Sequence, residues 1–279
     1  MRGRCAAIRR RWRQELHEAL APRVGGVLSA DIAVPEFERE ARFYSRVLGT
    51  GKNPFWREAD LMNNLGMPII GLGARDAQTD RLPLQWMPHI QVADVATSAR
   101  RAFDLGAREL MHHRDGGGQS QWAVLLDPAG AAFGIIPVVP AQAMPGTESR
   151  GQMGRIAWLD LTVPNATAAR DFYKEVVGWS VQDVAMKDGS ARYADFNMLG
   201  GDGQPAAGVC HARGGNAGLP PVWLIYLPVG DLAESLRRVP VEGGKVVMKT
   251  QRADGSYAHA VIQDPVGAYF ALTGDLDNT

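Results

Sequence analysis

The sequence predicts an α+β fold in which one strand–helix–strand unit is used four times, paired into two domains. Three observations predict it. First, the chain repeats itself: WMPHIQVADV at 86 to 95 is answered by WLIYLPVGDL at 223 to 232. Val34-Pro35, Phe43-Tyr44 and Gly49 recur 129 positions later as Val163-Pro164, Phe172-Tyr173 and Gly178. Gly71, Trp86 and Asp127-Pro128-Ala129-Gly130 recur 137 positions later as Gly208, Trp223 and Asp264-Pro265-Val266-Gly267, so eight residues are inserted between Gly178 and Gly208. Self-similarity at a fixed spacing marks a repeated structural unit. Second, each copy is doubled within itself: DIAVPEFEREARFYSRVLG resembles HIQVADVATSARRAFDLGA, with Val34 matching Val92. Third, 279 residues exceed the size at which a single hydrophobic core keeps growing.

The elements follow in order. A short apolar strand ending at Val34 runs into a helix whose Phe37, Ala41, Tyr44 and Leu48 fall on one face. Gly49 and Gly106 sit where a left-handed C-cap favours glycine. In the second copy Asn165 is placed as an N-cap, and Ala169, Phe172, Tyr173 and Val176 form the stripe. After each helix come alternating apolar segments broken by turn residues, among them GMPIIGLGA, QWAVLLDPAGAAFGIIPV, ARYADFNML and AHAVIQDPVGAYFALTG. These read as strands and hairpins, about three per helix. The Asp-Pro-x-Gly pairs are turns by composition. The segment 137 to 155 is rich in Pro, Gly and small polar residues, as a linker is. The domains are therefore placed at 25–140 and 153–279, with a linker at 141–152 and a basic extension at 1–24.

Composition excludes several functions. Thirty basic residues balance thirty acidic ones, and no motif that reads DNA or RNA occurs, so no nucleic-acid partner is expected. No apolar run is long enough for a membrane span. The first thirteen residues hold six arginines with no apolar core behind them, unlike a secretory signal. Cys5 and Cys210 match no metal or disulfide framework, and the expected location is cytoplasmic. GGDGQP and RDGGGQS lack the Lys-Ser/Thr of a phosphate loop.

The stretches WLDLTVPNATAARDFYKEVVGW (158 to 179), WLIYLPVGDL and DPVGAYFAL (264 to 272), with weaker echoes in the first copy, resemble the vicinal oxygen chelate superfamily. That superfamily includes glyoxalase I, bleomycin-resistance proteins and extradiol dioxygenases. The order W-x-D-L, F-Y, G-W and W-L-x-Y is similar to tandem two-domain, glyoxalase-like members. The resemblance implies two βαβββ modules per domain, their strands forming a cupped mixed sheet with helices outside and a small-molecule cavity within.

The resemblance also implies where a metal would sit. Metal-dependent members use a His or Gln on the first strand, a Glu on the fourth, a His on the fifth and a Glu on the eighth. The matching positions here are Trp158, Gly208, Leu224 and Ala271, and Ser29, Gly71, Met87 and Gly134. A divalent ion needs three or more imidazole, carboxylate or thiolate donors converging on one point. These eight supply none, so no metal and no other cofactor is expected. A displaced site through Asp31 with His89, or Asp160 with Tyr226, is the alternative.

Period-two alternation sorts the remaining candidates. Leu159, Leu161 and Val163 share an apolar face, and Trp158, Asp160 and Thr162 share the other. The expected ligand contacts are Trp158 as a wall, Asp160 and Tyr226 as polar anchors, and Thr162 beside them, with Asp31 and His89 as first-copy equivalents. A carboxylate inside a strand built for burial needs a partner, either within its own domain or on a ligand. His112-His113 reads as a surface or loop feature, His211 beside Cys210 makes no dyad, and His259 reads as space-filling. The expected function is a monomer binding a small, mostly apolar organic molecule without metal. Two other readings stand beside it: a metal-independent lyase or isomerase with Asp160 as acid or base, and a metal-dependent lyase or dioxygenase through displaced ligands.

Overall fold

The computed structural model describes residues 23–56, 69–139 and 156–274. The linker at 141–152 and the basic extension up to position 22 lie outside those residues. The strands belong to a six-stranded and an eight-stranded mixed sheet. With four α-helices among the described residues they make an α+β chain of two repeats.

The first repeat runs β1 (Val27–Val34), α1 (Phe37–Leu48), β2 (Ile70–Ala74), β3 (Met87–Val92), α2 (Val95–Asp104), β4 (Arg108–Arg114), β5 (Ser120–Leu126) and β6 (Ala132–Pro137). The second runs β7 (Trp158–Val163), α3 (Ala166–Val177), β8 (Ser180–Asp188), β9 (Ala191–Leu199) and β10 (Pro205–His211). It continues with β11 (Trp223–Pro228), α4 (Leu232–Val241), β12 (Lys245–Gln251), β13 (Tyr257–Gln263) and β14 (Tyr269–Thr273). Three modules are complete βαβββ units.

In the first module, among the described residues, β2 follows α1, and 75 to 86 form turns before β3, as the loop 212 to 222 precedes β11 in the second repeat. Arg75 holds these turns: its guanidinium donates to the backbone oxygens of Ala33, Asp80 and Leu82. Asp76 accepts from the backbone N–H groups of Gln78 and Thr79. Side-chain bonds of this kind hold a turn against pairing as a strand.

The described residues gather into two compact units, each drawing on both repeats. One unit holds 23–28, 87–139 and 159–223; the other holds 29–56, 69–86, 156–158 and 224–274. In the first, the strands run β3-β6-β5-β4 and β7-β10-β9-β8; in the second, β1 pairs β2 and the others run β11-β14-β13-β12. The pairs β1/β2, β3/β6, β7/β10 and β11/β14 are parallel, and β4/β5, β5/β6, β8/β9, β9/β10, β12/β13 and β13/β14 are antiparallel hairpins.

Each unit closes on the same aromatic cluster. In one, the Trp86 indole donates to the Tyr44 hydroxyl at 2.9 Å, and that hydroxyl donates to Asp264 Oδ2 at 2.9 Å. In the other, Trp223 donates to Tyr173 at 3.0 Å, and Tyr173 donates to Asp127 Oδ2 at 2.9 Å. Tyr44 packs edge-on to Phe43 and Trp86 and tilts against Phe270; Tyr173 packs edge-on to Phe172, Trp223 and Phe133. Edge-to-face contacts of this type contribute about 0.5–1.5 kcal/mol each beyond burial. The repeated tryptophans therefore look at tyrosines, and each tyrosine reaches the Asp-Pro-x-Gly turn of the other repeat. Those turns also hold themselves: Asp127 Oδ1 accepts from Ala129 and Ala131, and Asp264 Oδ1 accepts from Ala268.

The expected stripe of α3, Ala169, Phe172, Tyr173 and Val176, is buried, whereas the face of α1 differs in detail from the expected one. The buried stripe of α1 is Glu40, Phe43, Tyr44, Val47 and Leu48, rotated from Phe37 and Ala41. Asn165 caps α3 through a bond from Ala168 N–H, and Gly178 is left-handed at φ 86°, as expected. Gly106 is left-handed too, at φ 91°. Gly49 is not: its φ is −81°, and glycine is needed because a Cβ would meet Ser45 O at 2.7 Å. Among the described residues no helix is long and apolar enough to cross a membrane.

Candidate ligand-binding site

The candidate residues lie on the four parallel strand pairs, and the register of those pairs is the same each time. Asp31 on β1 sits beside Gly71 on β2, and Asp160 on β7 sits beside Gly208 on β10. His89 on β3 sits beside Gly134 on β6, and Tyr226 on β11 sits beside Ala271 on β14. Each larger side chain thus has a glycine or alanine at its flank. Side chains directly adjacent on a sheet face compete for space, so a small partner lets the large one lean across. Two cases show the lean directly. A Cβ added at Gly71 would lie 2.2 Å from Asp31 Oδ1, and one at Gly134 would lie 2.6 Å from His89 Cδ2.

In the first unit, Asp160 and Thr162 are buried on β7, opposite Gly208 and Cys210 of β10. Cys210 is also buried. His89 is half-buried. In the second unit, Tyr226 is buried and Asp31 and Trp158 are half-buried. Backbone bonding ties two of these together: Ala157 N–H, next to Trp158, donates to Tyr226 O at 2.8 Å. The eight positions matched to the family's metal ligands hold Ser29, Gly71, Met87, Gly134, Trp158, Gly208, Leu224 and Ala271. Among the described residues no group of three His, Cys, Asp or Glu side chains is placed to hold an ion.

Several residues set aside in the sequence acquire partners. The His259 ring packs against Tyr226, with centroids 5.7 Å apart at 61°, so it is a neighbour of a candidate anchor as well as a space-filler. The pairing explains it: Tyr226 is opposite Ala271, Ala271 is opposite Val261, and His259 is two residues along the same face. Alternation would have found it once that pairing was known. His211 pairs with Asp195 through Nδ1 at 3.0 Å, and its backbone N–H donates to the same carboxylate. Burial raises the Asp195 carboxyl above its usual range, and the His211 bonds oppose that shift. Arg213 lies over the Tyr193 ring, whose edge-on neighbour is His211. His112 is not the exposed member of its pair: its side chain is 3% exposed, whereas His113 is exposed and stacks on Trp122.

A family model described as "Glyoxalase-like domain" matches residues 28–136, and one described as "Glyoxalase/Bleomycin resistance protein/Dioxygenase superfamily" matches 155–272. The chain belongs to this superfamily. The anthracycline biosynthesis protein DnrV of Streptomyces peucetius is 30% identical over 192 residues, 68% of this chain and 66% of that protein. The anthracycline biosynthesis protein DauV of Streptomyces sp. strain C5 is 32% identical over 131 residues, 43% of this chain and 46% of that protein. The chain thus spans from about half to just under two thirds of the length of these relatives. A variant of homoprotocatechuate 2,3-dioxygenase from B. fuscum in complex with HPCA is 14% identical. It covers 91% of this chain and 73% of its own, with a TM-score of 0.51. At that identity the likeness concerns the glyoxalase/dioxygenase fold alone.

Proposed function

We propose that this member of the glyoxalase/dioxygenase superfamily binds a small, mostly apolar organic molecule through side chains standing beside the positions where relatives hold metal ligands. The observation that carries the reading is the repeated register: Asp31, His89, Asp160 and Tyr226 each flank a glycine or alanine at a family ligand position. Trp158 adds a wall in the unit of Asp31 and Tyr226, and Thr162 a hydroxyl in the unit of His89 and Asp160. The donor chemistry at the eight family positions does not fit a divalent ion. A flat aromatic ligand of the anthracycline type is the class favoured by the names of the two Streptomyces relatives. An apolar body with one or two polar groups matches a wall such as Trp158 with anchors such as Tyr226 and Asp31 in one unit, or anchors such as Asp160 and His89 in the other.

The test is a titration with a fluorescent anthracycline, with and without a chelator, on the chain and on Asp160→Asn and Tyr226→Phe. Binding that survives the chelator and weakens roughly tenfold or more in either variant supports the reading. Binding that needs an added divalent ion, or that both variants leave unchanged, overturns it. Should the ligand be turned over, loss of turnover with retained binding in Asp160→Asn makes Asp160 the acid or base of an enzyme.

A further inference from the structure

We propose that Ser120, His112 and Glu109 form a nucleophile, a base and an orienting carboxylate on the β4–β5 hairpin, able to take an acyl group from a small ester. His112 Nε2 lies 2.9 Å from Ser120 Oγ, and His112 Nδ1 lies 2.8 Å from Glu109 Oε2. With the proton on Nδ1 donated to Glu109, Nε2 presents its lone pair to the Ser120 hydroxyl. That is the arrangement which activates a serine. The imidazole is held by its surroundings, with its side chain 3% exposed, while Ser120 is half-buried at the end of the hairpin.

Arg114 completes the cluster. Its guanidinium lies 2.9 Å from His112 Nδ1 and 4.0 Å from Glu109. When Arg114 donates to Nδ1, the ring proton moves to Nε2 and Ser120 is no longer activated, so Glu109 and Arg114 compete for one nitrogen. The glycine turn before Ser120 leaves an approach, since a Cβ at Gly116 or Gly118 would meet nothing within 4 Å. The second repeat lacks the trio, with Val246, Lys249 and Tyr257 at the equivalent positions.

The chemistry balances with an ester and water alone. Ser120 Oγ bonds to the carbonyl carbon and its proton passes to His112 Nε2. The bond to the leaving oxygen breaks, and His112 returns the proton to that oxygen. Water then adds to the acyl carbon, giving a proton to Nε2. The bond to Ser120 breaks, the serine recovers its proton, and a carboxylic acid departs.

The test treats the full chain with p-nitrophenyl acetate and maps acetylated residues by mass spectrometry. Ser256 is an internal control: it is exposed on the equivalent hairpin and bonds to Asp254 with no imidazole partner. The expected result is acetylation of Ser120 at least about 100-fold faster than Ser256, lowered by a similar factor in His112→Gln. Glu109→Gln is expected to slow acetylation of Ser120 about 10-fold and Glu109→Asp to restore part of the loss, because the imidazole loses and regains its orienting carboxylate. Equal labelling of Ser120 and Ser256, or Ser120 labelling unchanged in a folded His112→Gln protein, overturns the proposal. A Ser120 labelling rate unchanged by Glu109→Gln removes Glu109 as the positioning residue.

Discussion

Tyr44 donates its hydroxyl hydrogen to Asp264 at 2.9 Å, across 220 positions of chain, and Tyr173 does the same to Asp127 across 46. Both tyrosines and both aspartates are buried, and each tyrosine also accepts from a buried tryptophan. Burial raises both carboxyls above their ordinary range, and the tyrosine bonds pull against it. Removing one hydroxyl strands an acceptor and a donor together.

Tyr44→Phe and Tyr173→Phe are therefore expected to destabilise the protein by about 1–3 kcal/mol each, with little change in volume. Urea unfolding monitored by tryptophan fluorescence measures this. A loss in only one of the two variants would show that the two clusters are not energetically equivalent.

Glu40 makes the two clusters differ. It is fully buried on α1, its carboxyl oxygens lack a donor among the described residues, and it faces Asp264; the second repeat has Ala169 there. Two carboxylates can bond only when one carries the proton. Burial first, and then the Asp264 charge, push the Glu40 carboxyl from 4.5 up to about 8. A folded value above the unfolded one means that the folded state holds a proton the unfolded state releases. The resulting stability is fully present below about 4.5 and is lost as pH rises through about 8, at about 1.4 kcal/mol per pH unit in between. Glu40→Gln is expected to flatten that slope in urea titrations between pH 5 and 9. Parallel slopes for the two proteins would remove Glu40 as the cause.

Gly71→Ala and Gly134→Ala test the lean of the anchors. The added methyl meets the far end of a side chain in each case, Asp31 Oδ1 or His89 Cδ2, so the fold is expected to survive. The displaced Asp31 or His89 is then expected to weaken anthracycline binding by about 10-fold, the loss of one hydrogen bond. Thermal melts and fluorescence titration on the same samples separate the two effects.

Much of the fold is legible because the repeat can be read without an alignment. Val34, Tyr44, Gly71, Trp86 and Asp127 each have a partner at a fixed offset, and each pair takes the same structural part. The candidate site is less legible. Asp160 and Tyr226 stand out as polar groups inside apolar strands, but His259, His211 and Ser120 do not. Their significance depends on strand pairing, which the alternating pattern of one strand does not contain. Glu40 is hidden for a similar reason: a carboxylate on a surface-facing turn of a helix and one on its buried stripe look alike until the helix is rotated into place.

By itself the sequence determined the number of modules, the places of the helices and turns, and which side chains share a strand face, since all of these follow from local periodicity and turn chemistry. The tertiary structure alone decided that each compact unit draws on both repeats, with Tyr44 meeting Asp264 and Tyr173 meeting Asp127. Two identical donors and two identical acceptors allow either pairing within the chain. Only the packing of whole modules chooses between them.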